Sequence, residues 1–178
     1  MVLAGVKTIR ENSEVLDIKD PSFNPASLYD SIKLKSYQAR VKISAAHYFP
    51  LSKASTFKTF LNVGYYNSPN IFLNDLFQIG GYKLLRGFNE QSIYATRYIV
   101  LSAEYRYLLS VNSYLFVFAD GGWVKEKYQS VNVNNQYIGV GLGMVYETKA
   151  GLLNVSYAIG KQNDVTFNIR EASKIHFG

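Results

Sequence analysis

Residues 77–88 read FQIGGYKLLRGF, from Phe77 to Phe88. The stretch lies between two aromatic-rich segments in which apolar and polar residues alternate, the period of a β-strand. It is too long for a tight turn and too patterned for a slack loop. A Gly80-Gly81 pair is followed by an apolar step, Leu84-Leu85, and then by Arg86-Gly87-Phe88. The pattern reads as a loop, residues 77–97, folded back inside a β-barrel whose wall is the rest of the chain.

Working outward, Tyr37, Ala39, Val41, Ile43 and Ala45 face one way, and Ser36, Gln38, Arg40, Lys42 and Ser44 the other. The alternation lasts about ten residues, the length of a membrane strand. Tyr48 and Phe49, before Pro50, end this strand and suggest an aromatic girdle. Phe57, Thr59, Leu61, Val63 and Tyr65 continue the outer face, with Lys58, Phe60, Asn62 and Gly64 inward. Beyond the loop, Ile99, Leu101, Ala103, Tyr105 and Tyr107 face out, against Ser102, Glu104 and Arg106. Leu115, Val117, Ala119 and Trp123 face out, with Phe116, Phe118, Asp120 and Gly122 inward. Ile138, Val140, Leu142, Met144 and Tyr146 alternate with Gly139, Gly141 and Gly143, and Leu153, Val155, Tyr157 and Ile159 oppose Asn154, Ser156 and Ala158.

Short turns at 50–54, 110–113 and 148–150 alternate with longer polar connections at 11–34, 125–134 and 161–173, the asymmetry of an outer-membrane barrel. Weak strands at 2–9 and 174–177 bring the count to about eight antiparallel strands in an all-β chain. No stretch sustains helical periodicity.

Composition agrees with a two-faced wall. The 178 residues include 15 Tyr and 11 Phe, yet mean hydropathy is −0.06. No run of about 18 apolar residues is present, so a transmembrane helix is not expected, which leaves a membrane barrel open. There is no cysteine, hence no disulfide framework. The net charge of +6 fits a solvated surface, or else a cationic lumen or an anionic partner. Nucleic-acid binding is not expected, because no basic cluster accompanies a known motif. The N-terminus, MVLAGVKTIREN, lacks the basic and apolar regions of a secretory signal, so a barrel's targeting signal is expected upstream.

Few residues invite chemistry. Gly139-x-Gly141-x-Gly143 lacks dinucleotide spacing and lies within a strand, so no nucleotide cofactor is expected. Period-two glycines, joined by Gly80, Gly81 and Gly122, instead clear space for a tucked loop. Glu104 and Asp120 point inward from adjacent strands. Two carboxylates allow a hydrolase reading, but Arg86 is placed to join them, and a structural ion-pair network is the better account. Gly87 lets the loop turn sharply beside Arg86. His47 and His176 lie apart without a ligand pattern, so no metal site is expected.

Leu85-Arg86-Gly87-Phe88 resembles the (V/I/L)RGF motif of the BamA/TamA-type outer-membrane assembly and secretion barrels, the bacterial surface antigen family. Phe77-x-Ile79-Gly80-Gly81 resembles that family's lead-in to the same loop. Phe118-x-Asp120-x-Gly122 resembles its FxDxG strand motif, whose Asp pairs with the loop Arg, and Glu104 sits where the family places a second acid. The resemblance implies a structural lock of Arg86, Gly87, Phe88, Glu104 and Asp120 in the C-terminal half of a roughly sixteen-stranded transmembrane barrel. It implies a non-enzymatic protein of the bacterial outer membrane that inserts other β-barrel proteins. Its partners would be unfolded outer-membrane clients, periplasmic chaperones, accessory lipoproteins and outer-membrane lipid. A two-partner secretion transporter shares the motifs, a passive porin or receptor barrel needs none of them, and a soluble β-sandwich is the rival at the level of fold. Periplasmic POTRA repeats and the first barrel half are not in this sequence. It also ends at Gly178 without the family's usual terminal aromatic residue. Both departures suggest a truncated chain.

Overall fold

A computed structural model describes residues 2–8, 35–128, 131–163 and 173–177. Among the described residues there are ten strands: β1 (Val2–Thr8), β2 (Lys35–Ser52), β3 (Ser55–Asn67), β4 (Phe77–Ile79), β5 (Ile93–Ala95), β6 (Arg97–Leu108), β7 (Tyr114–Tyr128), β8 (Val131–Thr148), β9 (Gly151–Gln162) and β10 (Ser173–Phe177). Eight of them form one antiparallel sheet in the order β1-β2-β3-β6-β7-β8-β9-β10. Among the described residues β1 and β10 do not pair, so the sheet is open and has two edges. The only helical element there is a single 3-10 turn at Leu73–Asp75.

Alternation decides which face is covered. Along β6, Tyr98, Val100, Ser102 and Glu104 are buried, while Ile99, Leu101, Tyr105 and Tyr107 are exposed. β7 repeats this, with Phe116, Phe118, Asp120 and Val124 buried and Leu115, Val117 and Trp123 exposed. On β8 the outward row Ile138, Val140, Leu142 and Met144 is bare. The sheet therefore turns a continuous apolar face outward, far beyond the isolated patches a water-soluble monomer tolerates.

Strands run past the alternating segments. β2 does not end at Tyr48–Pro50. It continues to Ser52, with Pro50 opposite Thr56 and a register shift just after it. Proline lacks an N–H to donate, so an irregular strand end accommodates it. Of residues 125–134, expected to be a polar loop, 125–128 and 131–134 are strand instead, and 129–130 lie outside the described residues: Lys125 pairs with Asn134, Lys127 with Asn132 and Tyr128 with Val131. Cross-strand pairing persists there after the apolar band stops, with the charged run Lys125-Glu126-Lys127 facing the alternating Val131-Asn132-Val133-Asn134. The expected loop at 11–34 lies outside the described residues, as does most of the 161–173 connection.

The connection between β3 and β6 carries its own two-stranded sheet. Phe77 pairs with Ala95 and Ile79 with Ile93. Phe77, Ile79, Leu85, Ile93 and Ala95 pack against Tyr66, Tyr98, Val100, Val124 and Tyr137 of the wall to form the main core. Thr96 stitches the return to both neighbours: its N–H donates to the Lys125 carbonyl and its own carbonyl accepts from the Tyr66 N–H, each at 2.8 Å.

Candidate functional site: the inserted loop and its carboxylates

The β4–β5 hairpin sets up the loop. Gly80 and Gly81 follow β4 with φ of 108° and 94°, a region that side chains bearing a Cβ rarely enter. The chain then doubles back on itself: the Gly81 N–H donates to the Leu85 carbonyl at 3.0 Å. Tyr82 is fixed by its N–H donating to Glu90 Oε1 at 2.7 Å. Leu85 drops fully out of solvent into the core, a burial that stabilises by about 1.5–3 kcal/mol. That anchor delivers the next residue, Arg86, to the polar centre of the wall.

Ser102, Asp120, Gly139 and Gly160 lie in one cross-strand row over β6, β7, β8 and β9. Arg86 lies against this row. Its Nε donates to Asp120 Oδ2 at 2.8 Å and its Nη2 to Asp120 Oδ1 at 2.7 Å. Its backbone N–H also donates to Oδ2, at 3.0 Å. Nη1 donates to Glu104 Oε2 at 2.6 Å, and Nη2 donates to Ser102 Oγ at 2.8 Å. Ser102 in turn donates to Asp120 Oδ1 at 2.5 Å. The Phe118 ring closes one side, its centroid 3.5 Å from Arg86 Cζ. Burial alone would lower the pKa of Arg86, but the hydrogen bonds and charges of Asp120 and then Glu104 outweigh it. Arg86 is therefore held above its ordinary value and remains a cation.

Desolvating such a group is costly, and the geometry offsets the cost only because every partner is in place. Removing one member leaves a buried charge bare, a loss of about 3–5 kcal/mol. The cluster is thus all-or-none, which suits a clasp and leaves no free base or nucleophile at its centre.

The backbone on either side of Arg86 runs against glycine. A Cβ at Gly139 would meet the Arg86 carbonyl oxygen, and one at Gly160 would meet the Gly87 carbonyl oxygen. Gly87 itself has a φ of 92°, and a Cβ there would come within 2.7 Å of the Gly160 nitrogen. Gly122 faces Leu85, with 3.2 Å from a notional Cβ to Leu85 Cδ2. Phe88 stacks edge-on against Tyr137, with centroids 5.2 Å apart. Gly141 and Gly143 lie elsewhere: they give room to the rings of Phe118 and Phe116 and to the carbonyls of Tyr157 and Val155.

Three contributors were not anticipated. Gly160 seats Gly87, Ser102 bridges arginine and aspartate, and Arg106 donates from Nε to Glu104 Oε1 at 2.7 Å. The inward row Ser156, Ala158, Gly160 is small at period two, as 139–143 is, and was the available signal for the first. His47 stacks on Phe49, and no group of potential metal ligands occurs among the described residues.

No curated protein matches the chain. A family model does: residues 30–178 match the Omp85 superfamily domain. Those residues hold the wall from β2 onward and the whole inserted loop, and the chain belongs to the Omp85 superfamily, whose members are outer-membrane proteins.

Proposed function

We propose that this chain is the C-terminal half of a roughly sixteen-stranded transmembrane barrel that inserts other β-barrel proteins into the bacterial outer membrane. The observation that carries the reading is the loop held to the inner face by Arg86, Asp120 and Glu104. A passive pore needs neither the arginine-bearing loop nor its two acidic partners. The bare outer face of β6, β7 and β8 supports a lipid setting, and the superfamily's association with insertion or secretion supports the activity.

In this reading the work is mechanical. The clasp braces the wall from within, while the first and last strands of the full barrel form a weak seam. A client strand pairs with the open edge, adding its main-chain hydrogen bonds to the sheet. Partners are unfolded outer-membrane clients brought by periplasmic chaperones and accessory lipoproteins, with lipid around the wall.

The test is Arg86→Ala in the full-length protein, reconstituted in lipid vesicles and given an unfolded β-barrel client. Insertion and protection of the loop from protease should both fall. Exchanging the charges of Arg86 and Asp120 should recover part of the loss. Unchanged insertion with an unchanged loop would sink the bracing role. Translocation of a client without insertion would make the chain a secretion transporter.

A further inference from the structure

A second polar feature lies beside the clasp, toward the turn between β6 and β7. It is a cavity of about 210 Å³, lined on its charged side by Lys58, Lys83, Arg86, Arg106 and Glu104. Its charge does not balance. Arg86 is matched by Asp120 behind it, and both oxygens of Glu104 are occupied, Oε2 by Arg86 and Oε1 by Arg106. Four cations thus face two carboxylates, Glu104 and Asp120, a surplus of two positive charges.

Lys58 shows the imbalance most directly. It sits opposite Glu104 in the β3–β6 register, but the two arginines already hold that carboxylate. Its ammonium lies 5.8 Å from the ring centroids of both Tyr48 and Phe60 instead. Arg106 binds Glu104 through Nε alone, and its guanidinium lies 4.6 Å from the Tyr114 centroid. Among the described residues its two terminal nitrogens make no hydrogen bond. Such a fork suits an oxyanion. Phe60, Leu84 and Phe116 supply apolar wall beside these cations.

We propose that this cavity binds a carboxylate carried by an acidic polypeptide segment. The space admits one such group with a few waters, at about 30 Å³ per water. The apolar wall suits the carbon stem of a Glu or Asp side chain, which a free inorganic ion lacks. The proposal rests on the reading that the barrel handles polypeptides, and it names the chemistry of the segment that reaches the inner face.

The experiment uses the full-length protein in detergent at about 0.15 M salt, where exposed charges are screened beyond about 8 Å. Fluorescent hexaglutamate and hexaglutamine peptides are titrated by anisotropy. Hexaglutamate should bind at least about tenfold tighter, and Lys58→Gln with Lys83→Gln should remove that preference. Lys83→Gln alone, at an exposed position, should weaken it measurably even where the double variant fails to fold. Equal binding of the two peptides overturns the proposal, as does a preference unchanged in the folded variants. Inorganic phosphate that binds where hexaglutamate does not would overturn the polypeptide source. Binding without client insertion would count against the assembly reading alone, and insertion without hexaglutamate preference against this site alone.

Discussion

The carboxylate of Asp120 accepts three hydrogen bonds from Arg86, two from the guanidinium and one from the backbone N–H. Asp120 therefore holds the main chain of the loop as well as its side chain. This ties the position of the loop tip to a single wall residue that is 2% exposed.

Asp120→Asn keeps an oxygen that can accept but removes the charge. It should cost about 1.5–3 kcal/mol, the range for hydrogen bonds to charged groups. Asp120→Ala strands the buried guanidinium and should cost about 3–5 kcal/mol. Urea unfolding of the full-length protein in lipid vesicles gives both values, and equal losses would show that the acceptor geometry contributes nothing.

Gly139→Ala drives a methyl group into the Arg86 carbonyl, while a methyl at Gly121 meets nothing within 4 Å. The first should cost about 1–3 kcal/mol as an overpacked contact, and the second should be silent. Trypsin cleavage after Arg86 reports the difference, since that bond is buried in the wild type. Equal cleavage of both variants would refute the close approach of loop and wall.

Leu85→Ala leaves a hole beneath the arginine in a core it shares with Val100 and Tyr137. The expected loss is about 2–5 kcal/mol. The loop should then be released without any change of charge, separating packing from ion pairing. A loop as protected from trypsin as in the wild type would assign the anchoring to Arg86 alone.

Leu142→Arg places a charge in the outward row, where Leu142 is 59% exposed. In lipid vesicles it should cost about 2–4 kcal/mol near the bilayer centre. Asn132→Arg, on the polar extension of β8, should cost little. Similar tolerance of both would mean that the apolar face does not meet lipid.

Much of this arrangement was legible in the residues themselves. Period-two alternation separates Leu101 from Ser102 and Val117 from Phe118, so the inward direction of Glu104 and Asp120 followed from counting. The alternation Val131-Asn132-Val133-Asn134 was there to read as well, but its partner run Lys125-Glu126-Lys127 is wholly charged and made the segment look like a polar loop. Those residues pair as strand all the same, through backbone groups that carry no side-chain signature. The small β4–β5 sheet escaped for a similar reason, since three residues are too few to show a period. Gly139 was identifiable as a clearing but not its occupant, because which carbonyl lies over it depends on contacts across three strands. Gly141 and Gly143 have the same spacing, yet rings from β7 fill the space beside them.

The row that receives the loop has a consequence for folding order. Ser102, Asp120, Gly139 and Gly160 all follow residue 86 in the chain, each on a later strand, and Asp120 is 34 residues away. Contacts between distant segments form late, because the intervening chain must first be ordered. Leu85 and Arg86 have nowhere to dock until β6 and β7 are paired, and Gly87 has no seat until β9 has been added. Docking of Arg86 thus reports that β6 and β7 are paired, and a chain stalled before β9 keeps its arginine satisfied but leaves Gly87 without the Gly160 seat as the mark of unfinished assembly.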